Sequence, residues 1–580
     1  MIGNVGDRMR RALTAVASTA AASPLVWLTA RRPSTFGKAI RARFVLYAVT
    51  LIAAWTPYLM LIWPGAMRDD TLAQYLQTAG LHRYYTQHPL FDTLIFGLFW
   101  RIGDVFGSPL IGEAVYTATQ AVLLAAGAAL MLCYVRKIGA PRWLRLLGLL
   151  YLATSYVVVG AVGTMGKDSL HTVFFLPFAV LFAEACLTRG RVLLRMPVAV
   201  TFVTVLFATV ASKRTALMIA LCSGVGLLAV CMRGRSRRRA LVCLCLAIVL
   251  AQGVFAPLAA AATHANRSPS RELWGVVTQS VAQVAHDRPS AVSAAQRAAL
   301  NGIMRLDQAA LEINPHRTDE TFHTLREDPR PSGEATLAAL RAWAELGLAQ
   351  PGEYLTAWAG PIRGWWDPRV NFAYPTDSDY LLRGGYLRQW ATFLPEDAGV
   401  ADGVGAAVAG VTESGLADED TVEALRVARI TRDLTPLMGT SRKPRWQRDL
   451  LDRIRRWIRD SNPFTAMALY VTWLPLLVGA TLLAQTIAAR GRRSVAHSGI
   501  SGRSAALPTS RETPHDGMSR PAPSCRLAAC GLLCWTVLSL YASPEALFWY
   551  PIPVFLSLPL FAALPFTVLP SVTDDERRLR

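Results

Sequence analysis

The sequence predicts an all-α polytopic membrane protein of about ten transmembrane helices, with a large extracytoplasmic segment of mixed structure. Three observations carry that prediction. Of the 580 residues 52% are hydrophobic and only 17% charged, with a mean hydropathy of +0.30; soluble domains rarely combine the two. The apolar residues fall in blocks of roughly 17–25, long enough for a helix to cross a hydrocarbon core. Arg and Lys concentrate in the short connections between those blocks, as expected of loops held on the cytoplasmic side.

The net charge of +20 raises the question of nucleic acid, and its distribution answers it. Residues 263–462 carry 24 Lys and Arg against 26 Asp and Glu, so this segment is near neutral. The excess belongs to the inter-span loops, and no nucleic-acid partner is expected. The nine cysteines lie in or beside apolar blocks, with none in the long polar segment. They read as core thiols, and neither a disulfide framework nor a zinc site is expected.

Residues 1–43 form a basic cytoplasmic N-terminus, whose Ala-rich stretch 12–30 reads as a surface helix or a weak extra span. Spans follow at about 44–63, 110–134, 143–163, 169–187, 196–211, 215–232, 240–262, 464–488, 526–543 and 549–570. The stretch from Pro89 to Gly103 is shorter and interrupted by Asp92. Its apolar residues recur at helical spacing, so it is expected as an amphipathic helix along the interface. Topology supports that choice. If it does not span, the clusters at Arg136 to Arg145, Arg189 to Arg195, Arg233 to Arg239 and Arg490 to Arg526 are all cytoplasmic, as are both termini. If it spans, the Arg233 to Arg239 cluster lands outside.

The domain plan is then an N-terminal transmembrane module over 44–262, with its first external loop at 64–109, followed by an extracytoplasmic domain over 263–462. One helix at 463–489, a disordered cytoplasmic linker at 490–525, a hairpin at 526–570 and a tail at 571–580 complete it. Trp446, Leu450, Leu451, Ile454, Trp457 and Ile458 line one face of a basic helix, expected to rest on anionic headgroups. Asn266-Arg267-Ser268 fits a glycosylation sequon, a pattern common by chance.

Chemistry-bearing residues gather in the external turns. Asp69 and Asp70 follow the first span, with Arg68 beside them. A carboxylate there serves as a general base on an acceptor hydroxyl or as a ligand to a divalent ion; helix-dipole placement is the plainer explanation. His88 precedes the interfacial helix and is suited to hold a phosphate or a proton. Lys167 and Asp168 stand at one later external turn, Lys213 and Arg214 at another. Cations on this side beside a carboxylate pair suit a phosphorylated lipid and a hydroxyl acceptor; the alternative is harmless snorkelling. Trp365 and Trp366 offer flat faces for sugar or lipid, against the commoner role of core packing.

The arrangement resembles the GT-C superfamily of membrane glycosyltransferases, which use polyprenyl-phosphate sugars as donors. The likeness rests on the acidic Arg68-Asp69-Asp70 after the first span, on Gln87-His88-Pro89-Leu90, similar to the His-Pro-Pro-Leu of the protein-mannosyltransferase-like branch, and on the large external segment before the last spans. Residues 274–284 and 543–551 also look like those of a related, uncharacterised multi-span bacterial family. The resemblance implies a GT-C-like fold. It implies an Asp that activates the acceptor or contributes to a metal site, mapping onto Asp69 or Asp70, and basic residues on the lipid phosphate, mapping onto Lys167, Lys213 and Arg214. The departures are the missing second proline, since Leu90 follows Pro89, and the lack of a second acidic motif beyond Asp168. The resemblance thus implies a divalent ion, Mg or Mn, only through Asp69 or Asp70.

The expected function is transfer of a sugar from a polyprenyl-phosphate carrier to an extracytoplasmic glycan or protein acceptor by a multi-pass protein of the cell membrane. The alternatives are a lipid-linked glycan transporter or flippase, which would favour ionisable residues near mid-span, and a non-enzymatic cell-envelope assembly protein.

Overall fold

The computed structural model describes residues 38–80, 83–267, 274–326, 330–370, 443–459, 463–498 and 518–570; the Asp69 side chain lies outside it. The expected N-terminal stretch 12–30, most of the linker, the tail and residues 371–442 also fall outside the described residues.

Six helices are long and apolar enough to cross a membrane. They are α1 (Lys38–Leu61), α4 (Pro109–Lys137), α7 (Lys167–Leu187), α10 (Arg235–Thr263), α18 (Leu469–Arg490) and α19 (Pro523–Tyr541). A seventh is a broken pair, α5 (Arg142–Thr154) and α6 (Tyr156–Val162), bent by 53° at Ser155. The other three expected spans coincide with shorter apolar helices, α8 (Met196–Ala211), α9 (Arg214–Val230) and α20 (Ile552–Phe566). Pro177 and Pro559 lie inside α7 and α20, where neighbouring helices tolerate the lost backbone bond.

The shared core wraps α4 and α7, which are the most enclosed of the long helices. Phe175, Phe178, Phe182 and Phe202 fill it, and the Trp55 indole donates to Leu152 O at 2.8 Å. Outward faces of α1, α9 and α10 expose Leu46, Val49, Met218, Val225 and Val249, as a lipid-facing helix surface requires.

The connections sort into two ends. At one end Val568 N donates to Ile138 O, Met232 N to Arg189 O and Arg526 Nη1 to Pro565 O. Lys137 is clamped there by Glu184 at 2.9 Å, with Tyr134 on the other carboxylate oxygen. This is the end that carries the arginine clusters. At the opposite end the chain forms a two-residue parallel ladder. Strand β1 (Ala66–Met67) pairs with β2 (Thr164–Met165), joining the exit of α1 to the entrance of α7. Gly65 makes the turn into β1 possible: its φ is +152°, and a Cβ there would lie 2.4 Å from Thr117 Oγ1.

Two further helices follow β1: α2 (Asp69–Thr78) and α3 (Leu90–Val105). Helix α3 is the expected interfacial element. It folds back on α4 through Gly103 and Gly112, where a Cβ on Gly112 would sit 2.0 Å from Phe99 O. Its inner face buries Asp92, Phe96 and Trp100, while Leu94 and Leu98 stay exposed.

The described part of the long polar segment 263–462 is helical, with only isolated strand bridges. This differs from the mixed structure expected. Its core (Val281, Ala285, Leu300, Leu306, Leu346) joins α11 (Gly275–Asp287), α12 (Ala294–Asn301), α13 (Leu306–Leu311), α14 (Gly333–Ala349) and α15 (Pro351–Ala359). Amphipathic α17 (Arg445–Arg459) lays Leu451 and Ile454 on the C-terminal end of α1 and buries Ile458 in the shared core, leaving Trp446 and Trp457 exposed. The helix begun in α18 continues to Ser498, so the start of the expected linker is helical.

Candidate functional site

The ladder sets two helix N-termini side by side. Helix α2 opens at Asp69 directly after β1, and α7 opens at Lys167 directly after β2. Neither has a side-chain cap: their N-cap residues are Arg68 and Gly166. Asp70 and Asp168 therefore occupy first turns, where the helix dipole favours a negative charge, and Thr71 Oγ1 donates to Met165 O at 2.6 Å to lock the register.

Between these ends the charges interlock. Lys167 Nζ contacts Asp70 Oδ2, and His88 Nε2 lies 3.9 Å from Asp70 Oδ1. Lys213, arriving from the turn between α8 and α9, donates to Asp168 Oδ1 at 2.5 Å and to Tyr550 O at 3.1 Å. Its ammonium also lies 5.9 Å from the Tyr550 ring centre. Arg214 donates to Thr86 O, and Thr86 N in turn donates to Asn266 O at 3.0 Å. Arg68 is buried, 3.4 Å from Thr164 Oγ1 and 5.8 Å from the Trp549 ring centre. Five turns at this end of the helices thus meet at one place, and every charged residue singled out from the sequence whose side chain is described belongs to it.

Electrostatics divides the site's titratable groups. Burial works against the Asp70 charge, but Lys167 and then His88 outweigh it and hold the carboxyl at about 2. Burial lowers His88 to about 4, reinforced by Lys167 and Arg214 against the pull of Asp70, so the imidazole is neutral at neutral pH. Asp92 goes the other way. Burial, with Asp168 nearby, raises it well above the ordinary carboxylate range despite Lys167 and Lys213. Asp92 was legible only as an interruption of an apolar helix. Its place on the first turn of α3, just after His88 and Pro89, is the signal that would have placed it here.

The tryptophans do not join this site. Trp365, on the short α16 (Arg363–Trp366), is fully buried, and its indole donates to Leu540 O at 2.9 Å and Ser543 Oγ at 3.2 Å. It fastens the segment after α15 to the end of α19, which corrects the expectation of a ligand-facing aromatic: its donor and its faces are spent on packing. Trp366 is part-exposed and its carbonyl accepts from the Trp473 indole at 3.3 Å. Nor does the donor set fit a divalent ion. Among the described residues no group of three His, Cys, Asp or Glu side chains is placed to hold a metal ion, and Asp70 and Asp168 are each taken by an ammonium.

A cavity of about 190 Å³ lies away from these charges, between α11, α14, α15 and the end of α19, walled by Trp343, Tyr354, Trp358 and Tyr541. Its polar groups are partnered within the protein: Trp343 Nε1 donates to Ser280 Oγ, and Trp358 Nε1 to Tyr541 O.

Searches among curated proteins and among solved structures find no match. A family model does match, over residues 71–398. That span holds His88, Asp92, Lys167, Asp168, Lys213, Arg214 and the helical core of α11 to α15, and begins one residue after Asp70. Since it covers more than half of the chain, this protein belongs to a family of unknown function, DUF6020.

Proposed function

We propose that the protein is a glycosyltransferase of GT-C type, a cell-membrane enzyme of about ten spans with both termini cytoplasmic. It moves a sugar from a polyprenyl-phosphate carrier to an extracytoplasmic glycan or protein. The observation that carries this reading is the convergence of Asp70, His88, Lys167, Asp168, Lys213 and Arg214 at the end opposite the arginine-rich loops. A flippase would need its ionisable groups spread across the membrane; here the polar groups sit at the outer helix ends, and the Lys137–Glu184 pair is closed on itself at the other.

The chemistry asked of these residues is an in-line displacement. The acceptor hydroxyl gives its proton to a carboxylate as its oxygen bonds to the sugar's anomeric carbon. The bond from that carbon to the phosphate oxygen breaks, and polyprenyl phosphate leaves with the electron pair. Preorganised cations stabilise the departing charge. While paired with Lys167, Asp70 is too weak a base for this task. An arriving phosphate competes for the Lys167 ammonium, which frees the carboxylate and raises its basicity only when donor is present. Lys213 and Arg214 complete the cradle for the phosphate. No metal enters this account. The test is turnover of polyprenyl-phosphate sugars by purified protein, with Lys167→Met expected to weaken donor binding and slow the chemical step together. Unchanged kinetics in that variant would remove the reading.

A further inference from the structure

Three carboxyl groups whose side chains are described (Asp70, Asp92 and Asp168) share this site with two lysines, and both ammonium groups are committed elsewhere than Asp92. Asp92 is fully buried on the first turn of α3, and neither of its oxygens has a hydrogen-bond partner. Helix capping does not explain it, because the N-cap of α3 is Pro89 and no side-chain cap bond forms. Nor is it alone. Gln74, on the turn of α2 after Asp70, spends its amide nitrogen on Thr93 Oγ1 at 2.9 Å, and its carbonyl oxygen is unpartnered. Asp168 gives Oδ1 to Lys213 and keeps Oδ2 unpartnered, and both ring nitrogens of buried His88 are unpartnered as well. Buried polar groups of native proteins are satisfied, so a cluster of orphans marks a group that comes from outside the chain.

The orphans come from three separate elements. Asp168 and Gln74 present oxygen acceptors, while neutral His88 offers one N–H donor beside one acceptor nitrogen and Asp92, once protonated, one O–H donor beside one acceptor oxygen. A sugar, whose hydroxyls both donate and accept, satisfies the whole set; a phosphate, an acceptor, leaves Asp168 and Gln74 unmet. The two ammonium groups alongside disfavour a metal ion in the same place. We infer that Gln74, His88, Asp92 and the free oxygen of Asp168 form the subsite that reads the hydroxyl groups of the transferred sugar, with Asp92 as its specificity-determining residue. This rests on the glycosyltransferase reading and adds to it where the sugar is recognised, as distinct from the phosphate.

The experiment is equilibrium binding of three probes to the full-length protein in detergent: polyprenyl phosphate, a polyprenyl-phosphate hexose and a polyprenyl-phosphate pentose. Wild type is expected to bind one of the two sugar lipids at least about tenfold more tightly than the bare phosphate, since a site built to bond hydroxyls discriminates strongly against their absence. Asp92→Ala and Gln74→Leu are expected to lose that advantage while binding bare polyprenyl phosphate as wild type does. Asp92→Asn keeps the shape of a neutral carboxyl and serves as the folded reference, expected to change the preference between the sugars. If Asp92→Ala and Gln74→Leu keep the full advantage, or if wild type shows none, the sugar subsite is wrong and the phosphate reading stands. If the wild-type advantage vanishes with EDTA, a cation occupies these acceptors and the inference fails. If no polyprenyl lipid binds, the glycosyltransferase reading fails with it.

Discussion

Replacing Lys213 with Met isolates the most buried ion pair of the site. The Asp168 side chain is 1% exposed and Lys213 15%, so the substitution leaves an uncompensated carboxylate out of water. Breaking a buried pair in this way costs about 3–5 kcal/mol. Loss of the bond to Tyr550 O adds about 1 kcal/mol and loosens the turn between α19 and α20. Neutralising the partner as well should recover most of the loss, because Asn carries no charge to strand. Reversible unfolding in mixed micelles, run on wild type, Lys213→Met, Asp168→Asn and the double variant, gives a coupling energy expected at about 2–3 kcal/mol. A single variant as stable as wild type, or a double variant whose loss is the plain sum of the two, would refute the argument that Asp168 depends on Lys213.

Three further outcomes follow from the geometry. His88 sits at about 4 in the folded protein and near 6.5 unfolded, so the unfolded chain binds the extra proton between those values. Stability should therefore fall as pH drops from 6.5 towards 4, by about 3 kcal/mol at most; His88→Gln should flatten that limb and leave the later loss near pH 4 to 2, where Asp70 protonates. Gly112→Val puts a Cβ against backbone at Phe99, which has no flexible tip to yield, so it should prise α3 from α4 and abolish donor binding, read by lipid binding and by proteolysis of the 83–108 segment. Trp365→Phe removes two hydrogen bonds to the end of α19 and should lower stability by about 1–2 kcal/mol while leaving polyprenyl-phosphate binding unchanged.

The apolar helices were legible because the length and hydropathy of a segment are local quantities, and six of them are long and apolar enough to cross a membrane. Each expected span coincides with an apolar helix, and the loops assigned to one side do touch one another. The charged site was legible for the same reason: Lys213 and Arg214 stand out as cations at the end away from the arginine-rich loops. What was hidden depends on pairing between distant segments. The ladder of Ala66–Met67 with Thr164–Met165 is two residues long and joins positions 98 apart, too short to leave a pattern. The break at Ser155 has no proline to announce it. Asp92 looked like a blemish in an apolar stretch, since its meaning comes from the helices packed around it. Trp365 misled because an aromatic pair shows its faces in a sequence but not which neighbours cover them.

Turnover of polyprenyl-phosphate sugars by wild type and Asp70→Asn, at matched folding, tests the central claim most directly. The account predicts transfer by wild type and a loss of at least about a hundredfold in the variant, since the residue is asked to accept the acceptor's proton. Equal turnover by the two would remove Asp70 from the chemistry, and a wild type that consumes no such lipid would contradict the glycosyltransferase reading itself.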